Sequence, residues 1–217
     1  MHIKARALRV ERGGRRIFAN LSFSLASGEA LLVTGPNGAG KSTLLRALAG
    51  LLPLAAGEIA LERSGDLEPS GDLELAVLCH YVGHADALKA SLTVVENVAF
   101  WSAMLAIAGR APEPRFGGAA PIHLDAALTR LGLDHIADLP AAYLSAGQKR
   151  RAALARLLTV QRPLWLLDEP LTALDAAAQT GLTALIKAHL AAGGMLIAAT
   201  HAPLAIAARQ LELGGRA

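Results

Sequence analysis

Hydrophobic positions change character along this chain, and the change divides it into elements. Near the start, Ala5 to Val10 reads as a strand and Leu21-Ser22-Phe23-Ser24-Leu25 alternates apolar with polar, with turns at Gly13-Gly14 and Ser27-Gly28. This is the period of half-buried β-strands joined by tight turns. Leu31-Leu32-Val33, Leu164 to Leu167 and Met195 to Ala199 are instead unbroken apolar runs, the pattern of parallel strands buried on both faces. Gly57 to Leu61 and Leu75 to Val82 predict two further strands. Helical spacing covers Thr43 to Leu48, closed by Gly50 and Pro53, then Thr93 to Ala108, Asp125 to Leu131 and Gly147 to Thr159. Strands at both ends around a helical middle predict a single α/β domain over residues 1–217. A helical subdomain of roughly residues 82–147 is expected as an insertion in its α/β core.

Two stretches lack periodicity. The pentapeptide Ser-Gly-Asp-Leu-Glu occurs at 64–68 and again at 70–74, too short for a structural repeat, and it predicts an exposed loop. Gly109 to Pro121, rich in proline and glycine, predicts a flexible loop.

Composition narrows the function classes. A hydrophobic fraction of 53% suits a chain that keeps an apolar surface for a partner. The uncharged stretch Ala188 to Ala208 is broken by Gly193, Gly194 and Pro203, so no segment is expected to span a membrane, and Met1 to Val10 has no apolar core of a signal peptide. A single cysteine, Cys79, excludes an internal disulfide and fits a reducing compartment. The net charge of +3, without a dense basic run, argues against nucleic acid as a partner. Arg12, Arg15 and Arg16 read as a solvated hairpin.

The chemistry begins at Gly35-Pro36-Asn37-Gly38-Ala39-Gly40-Lys41-Ser42, which fits the phosphate-loop pattern GxxxxGK[ST] without mismatch between a predicted strand and a helix opening at Thr43. Glycines let backbone N–H groups converge on phosphate oxygens, and the helix start adds its positive dipole end. Lys41 supplies a charge for the β- and γ-phosphates, Ser42 a hydroxyl for Mg²⁺. Downstream, the run Leu164 to Leu167 ends in Asp168-Glu169, a Walker B arrangement. In it Asp168 serves Mg²⁺, and Glu169 polarises the attacking water. A nucleoside triphosphate with Mg²⁺ is the substrate class.

With these motifs in hand, the chain resembles ATP-binding-cassette (ABC) ATPases over almost its whole length. Leu144-Ser145-Ala146-Gly147-Gln148 stands where that family carries its LSGGQ signature, Thr172 to Asp175 matches its D-loop, and His201 its switch histidine. The resemblance implies that Ser145 and Gly147 bind the γ-phosphate held by a second copy and that His201 contacts γ-phosphate. Three positions depart from the family pattern. Ala146 replaces a glycine, which is tolerated if its φ is negative. Arg12 stands where an aromatic stacks on adenine; it either stacks as a guanidinium or points to water. His84 replaces the Q-loop glutamine, and as a neutral imidazole it would accept from a metal-bound water.

Gly83-His84, Lys89, Leu92-Thr93, Glu96-Asn97, Arg150-Arg151 and Thr200-His201-Ala202-Pro203-Leu204 together resemble the ATPases of bacterial cytochrome c maturation systems, also called haem exporter ATP-binding proteins. That resemblance implies a P-loop NTPase of the ABC ATPase fold, with an antiparallel β patch and a helical subdomain. It also implies a head-to-tail homodimer and separate integral membrane subunits docking near His84 to Ser91, at the cytoplasmic face of the bacterial inner membrane. The rivals are the ATPase of another small-molecule ABC transporter, a soluble ABC ATPase of DNA repair or translation, and a P-loop kinase, which leaves Leu144 to Gln148 unexplained. His2, His80 and His123 read as ordinary residues.

Overall fold

The computed structural model describes residues 1–62, 72–108, 118 and 120–214. Strands β1 (His2–Arg12) and β2 (Arg15–Ala26) form an antiparallel hairpin whose register ends on Arg12 opposite Arg15. The two-residue loop needs left-handed backbone at both positions, and Gly13 and Gly14 supply it with φ of 56° and 72°. β4 (Ala56–Glu62) pairs with the other edge of β1, completing a sheet of order β2-β1-β4.

The second sheet is parallel, in the order β5-β6-β7-β3-β8. Its strands are β3 (Ala30–Thr34), β5 (Cys79–Val82), β6 (Leu164–Asp168), β7 (Met195–Ala199) and β8 (Arg209–Glu212). Every residue of β6 and β7 is buried, which is why those segments are apolar without alternation. Their side chains still alternate in direction. Leu164 and Leu166 join Leu44, Leu45 and Leu48 of α1 (Lys41–Leu48) and the apolar face of the antiparallel sheet. Trp165 and Leu167 face Leu154 and Leu157 of α5 (Ala146–Thr159) and Leu182 and Ile186 of α6 (Ala176–Ala191). A separate cluster joins Val94 and Val98 of α3 (Val94–Ala108) and Leu128 of α4 (Leu124–Arg130) to Ala152 and Ala155 of α5. The signature helix thus belongs to both the sheet and the helical part.

Two expectations need correction. Leu75 to Val82 is not one strand: α2 (Asp72–Leu78) takes its first half, and only Cys79–Val82 enters the sheet. The Arg162 guanidinium donates to the carbonyls of Ala76, Val77 and Cys79, satisfying a helix end that the local sequence cannot. Asp72 to Glu74, expected in an exposed loop, lie in the same helix, whereas residues 64–71 of the pentapeptide repeat are outside the described residues. Of the loop expected over Gly109 to Pro121, only 118, 120 and 121 are described. β8 was not expected, because Arg209-Gln210-Leu211-Glu212 is a short polar edge strand with no apolar signature. Among the described residues no helix is long and apolar enough to cross a membrane.

Two histidines are built into the interior. His80 shares a hydrogen bond of 2.7 Å between its Nε2 and the Val160 carbonyl, while its buried Nδ1 has no partner among the described residues. His189 stacks on Trp165 with ring centroids 3.9 Å apart. Burial pushes the His80 imidazole down to about 3 and that of His189 down to about 4. Both values are depressed, so the stability these groups contribute is fully present above about pH 6.5 and is lost as pH falls towards the folded values. Between pH 6.5 and 4 the loss should be on the order of 5 kcal/mol for the pair. Urea melts at pH 7, 6, 5 and 4.5 will measure it; a flat stability from pH 7 to 5 would contradict this account.

Candidate nucleotide site

The phosphate loop leaves β3 and turns back into α1, and its glycines are required for different reasons. A Cβ on Gly35, where φ is 131°, would run into the carbonyl oxygen of Leu213 just after β8. At Gly40, the left-handed N-cap of α1, it would lie 2.7 Å from the Ile17 side chain. Gly38 has φ of 81° but nothing within 4 Å of a would-be Cβ, so its backbone faces open space.

Lys41 is 8% exposed, and its Nζ donates to the carbonyls of Gly35 (2.8 Å) and Pro36 (3.1 Å) and to His201 Nε2 (3.0 Å). With an ammonium as donor, Nε2 is the acceptor in this contact, and the same Nε2 lies 3.7 Å from Glu169 Oε1. The pairing of β3 with β7 makes it possible, since one strand ends at the phosphate loop and the other just before Thr200-His201.

β6, on the far side of β7, delivers the acids. The Ser42 hydroxyl donates to Asp168 Oδ1 at 3.0 Å. Asp168 is 2% exposed, and its Oδ2 is buried with no partner among the described residues. An unpaired buried carboxylate oxygen beside a hydroxyl is the hard oxygen donor set that suits Mg²⁺, which takes few protein ligands and keeps much of its water. Glu169 is a non-glycine residue at φ 47°. Its N–H donates to the Ala199 carbonyl (2.8 Å), and its Oε2 accepts from the His201 N–H (3.3 Å).

These groups line one cleft of about 530 Å³, with Asn37, Gly38, Gly40, Lys41, Ser42 and Thr43 along the loop and Asp168, Glu169, Thr172 and His201 opposite. Arg12 and Ile17 from the hairpin bound it as well. The volume lies in the range of small-molecule sites.

The family model described as ABC transporter matches residues 18–172. Over its full length the chain is 52% identical to the whole of the cytochrome c biogenesis ATP-binding export protein CcmA of Nitrobacter winogradskyi. It is 55% identical, again over all of both chains, to the protein of that name from Rhodopseudomonas palustris. The chain belongs to the CcmA family of ABC transporters. In structure it is similar to a bacterial Atm1-family ABC exporter solved with ATP bound, with a TM-score of 0.75 at 25% identity over 98% of this chain and 36% of that one. ATP binding by this chain follows from membership in the ABC family.

Within this ABC ATPase, the other residues singled out by sequence fall into two groups. Ser145 and Gly147 do not line the cleft of their own chain. The Ser145 hydroxyl caps α5 by accepting from the Gln148 N–H (3.2 Å), and the Gln148 side chain returns the contact to the Ser145 N–H (2.8 Å). A Cβ on Gly147 would sit 2.8 Å from the Ala173 carbonyl, so glycine is needed there for close packing on the D-loop. Ala146 has no positive φ, and the extra methyl is accommodated as expected. His84 is exposed and does not line the cleft, so the structure does not bring it to the Ser42–Asp168 pair. Ile17 was missed by the sequence reading. Its only signal is its place after the hairpin turn, which becomes meaningful once Gly40 is seen to press against it.

Proposed function

We propose that this ABC ATPase hydrolyses ATP as the energy-coupling subunit of a membrane complex for c-type cytochrome biogenesis, with haem as the molecule handled. The convergence of Lys41, the Ser42–Asp168 pair and the Glu169–His201 pair in one cleft carries the catalytic part of this reading. The names borne by full-length relatives support the biogenesis part. Mg²⁺, held by Ser42 and Asp168, would neutralise charge on the β- and γ-phosphates. Lys41 adds a fixed cation to the same phosphates. Glu169 accepts a proton from the water that attacks the γ-phosphorus, and the bond to the ADP oxygen breaks. His201 would contact the γ-phosphate.

Two copies closing head to tail would give each cleft the signature it lacks, since Ser145 and Gly147 lie outside the cleft of their own chain. The membrane partner would dock on His84 to Ser91 at the cytoplasmic face of the bacterial inner membrane. That segment is tied to α3 by the Trp101 Nε1–H on the Ala87 carbonyl (2.9 Å) and by Asn97, which accepts from the Lys89 N–H (2.8 Å). On α3, Phe100 and Met104 are 55% and 40% exposed one turn apart, an apolar surface of the kind the composition suggested.

Sedimentation of a Glu169→Gln variant tests the half-site reading. ATP should convert it from monomer to dimer, and a further Ser145→Arg change should keep it monomeric by filling the signature face with bulk. A chain that stays monomeric with ATP yet hydrolyses at full rate would remove the half-site reading.

A further inference from the structure

Arg150 takes no part in the chemistry above, yet its side chain joins three separate stretches of the fold. It lies on α5, three residues beyond Gly147, and is 3% exposed. Its Nη2 donates to the carbonyls of Asp168 (2.8 Å) and Glu169 (2.9 Å). Its Nη1 donates to the carbonyl of Gly83 (2.7 Å) and to Asp86 Oδ1 (3.3 Å). The guanidinium is planar and rigid, so a displacement at one end of the fork is imposed on the other.

The two carbonyls on Nη2 flank Glu169 on either side, and fixing both fixes the peptide planes that set its φ and ψ. With the Ala199 carbonyl on the Glu169 N–H, they hold a left-handed φ of 47° that a glutamate does not adopt unaided. A relaxed backbone would carry the carboxylate away from the His201 N–H.

We infer that Arg150 is a positioning residue for Glu169, and that through it the placement of the water-activating carboxylate depends on the segment Gly83 to Asp86. This rests on the ATPase reading above. Asp86 does not line the cleft, and its contact with Arg150 is the route by which it would reach Glu169.

The experiment compares wild type, Arg150→Lys, Asp86→Asn and Arg150→Lys in the Glu169→Gln background. It measures phosphate release, binding of a fluorescent ATP analogue and thermal melting. Arg150→Lys keeps the charge and loses the fork. Its kcat should fall about 30- to 100-fold with KM for ATP within about threefold, the size expected for a misplaced catalytic group. Asp86→Asn should lower kcat about three- to tenfold, again without a change in KM. In the Glu169→Gln background, Arg150→Lys should cost no further turnover, because the group it positions is already disabled, and nucleotide binding should match Glu169→Gln alone. Native kcat in Arg150→Lys, losses that multiply with Glu169→Gln, or a kcat loss accompanied by weakened binding and a large drop in melting temperature would each overturn the inference. A wild-type chain that releases no phosphate from ATP would instead overturn the ATPase reading beneath it.

Discussion

A Glu169→Gln variant should bind ATP about as tightly as the native chain and release phosphate at less than about one-hundredth of its rate. The substitution preserves size, and its carboxamide oxygen still accepts from the His201 N–H, so the 3.3 Å contact and the left-handed backbone survive. What disappears is the basic oxygen that takes the proton from water. Lys41, Ser42 and Asp168 are untouched, so the ground-state affinity for the triphosphate stays. The signature of the change is therefore a collapse in kcat with little movement in KM. Single-turnover phosphate release alongside equilibrium binding of a fluorescent nucleotide separates the two quantities. Hydrolysis within a few-fold of the native rate would remove Glu169 from the mechanism.

Lys41→Ala should show the opposite pattern: ATP affinity lost by about a hundredfold or more, and turnover lost with it. The ammonium is 8% exposed and held by two loop carbonyls and His201, so its direction is set before any ligand arrives. Removing it strips the phosphate loop of its lysine and leaves the carbonyls of Gly35 and Pro36 without their donor. It also removes the contact to His201 Nε2. Isothermal titration with ATP measures the loss. An affinity within a few-fold of native would mean that backbone N–H groups alone carry phosphate recognition. Lys41→Ala should also abolish the ATP-driven dimer of the Glu169→Gln variant.

The strands that carry the site were legible because a parallel sheet covered on both faces demands unbroken apolar runs, and each of Leu31 to Val33, Leu164 to Leu167 and Met195 to Ala199 leads directly into its chemistry. The phosphate loop was legible because glycine leaves a spacing that few other structures need. Leu75 to Val82 was misread because a short apolar run fits a buried strand and a helix equally, and the arbiter, Arg162, lies far along the chain. β8 left no trace because an edge strand of four residues needs no apolar face. Arg150 appeared only as part of a family motif. Its role depends on four acceptors from stretches that only the folded sheet brings together. Similarly, Ser145 and Gly147 were found by resemblance, and the monomer alone gives them no more than a cap and a close packing contact.

The wall behind Gly35 matters to the cleft as well. Leu213 donates its N–H to the Thr34 carbonyl at 2.9 Å, and its own carbonyl leaves no room for a side chain at 35. Ala39 Cβ would lie 3.3 Å from a Cβ on Gly214. Leu213 and Gly214 thus back the phosphate loop without lining its cleft. A side chain at Gly214 would press on Ala39 and Pro36 and shift the loop that carries Lys41, so the cleft is sensitive to a residue it does not touch.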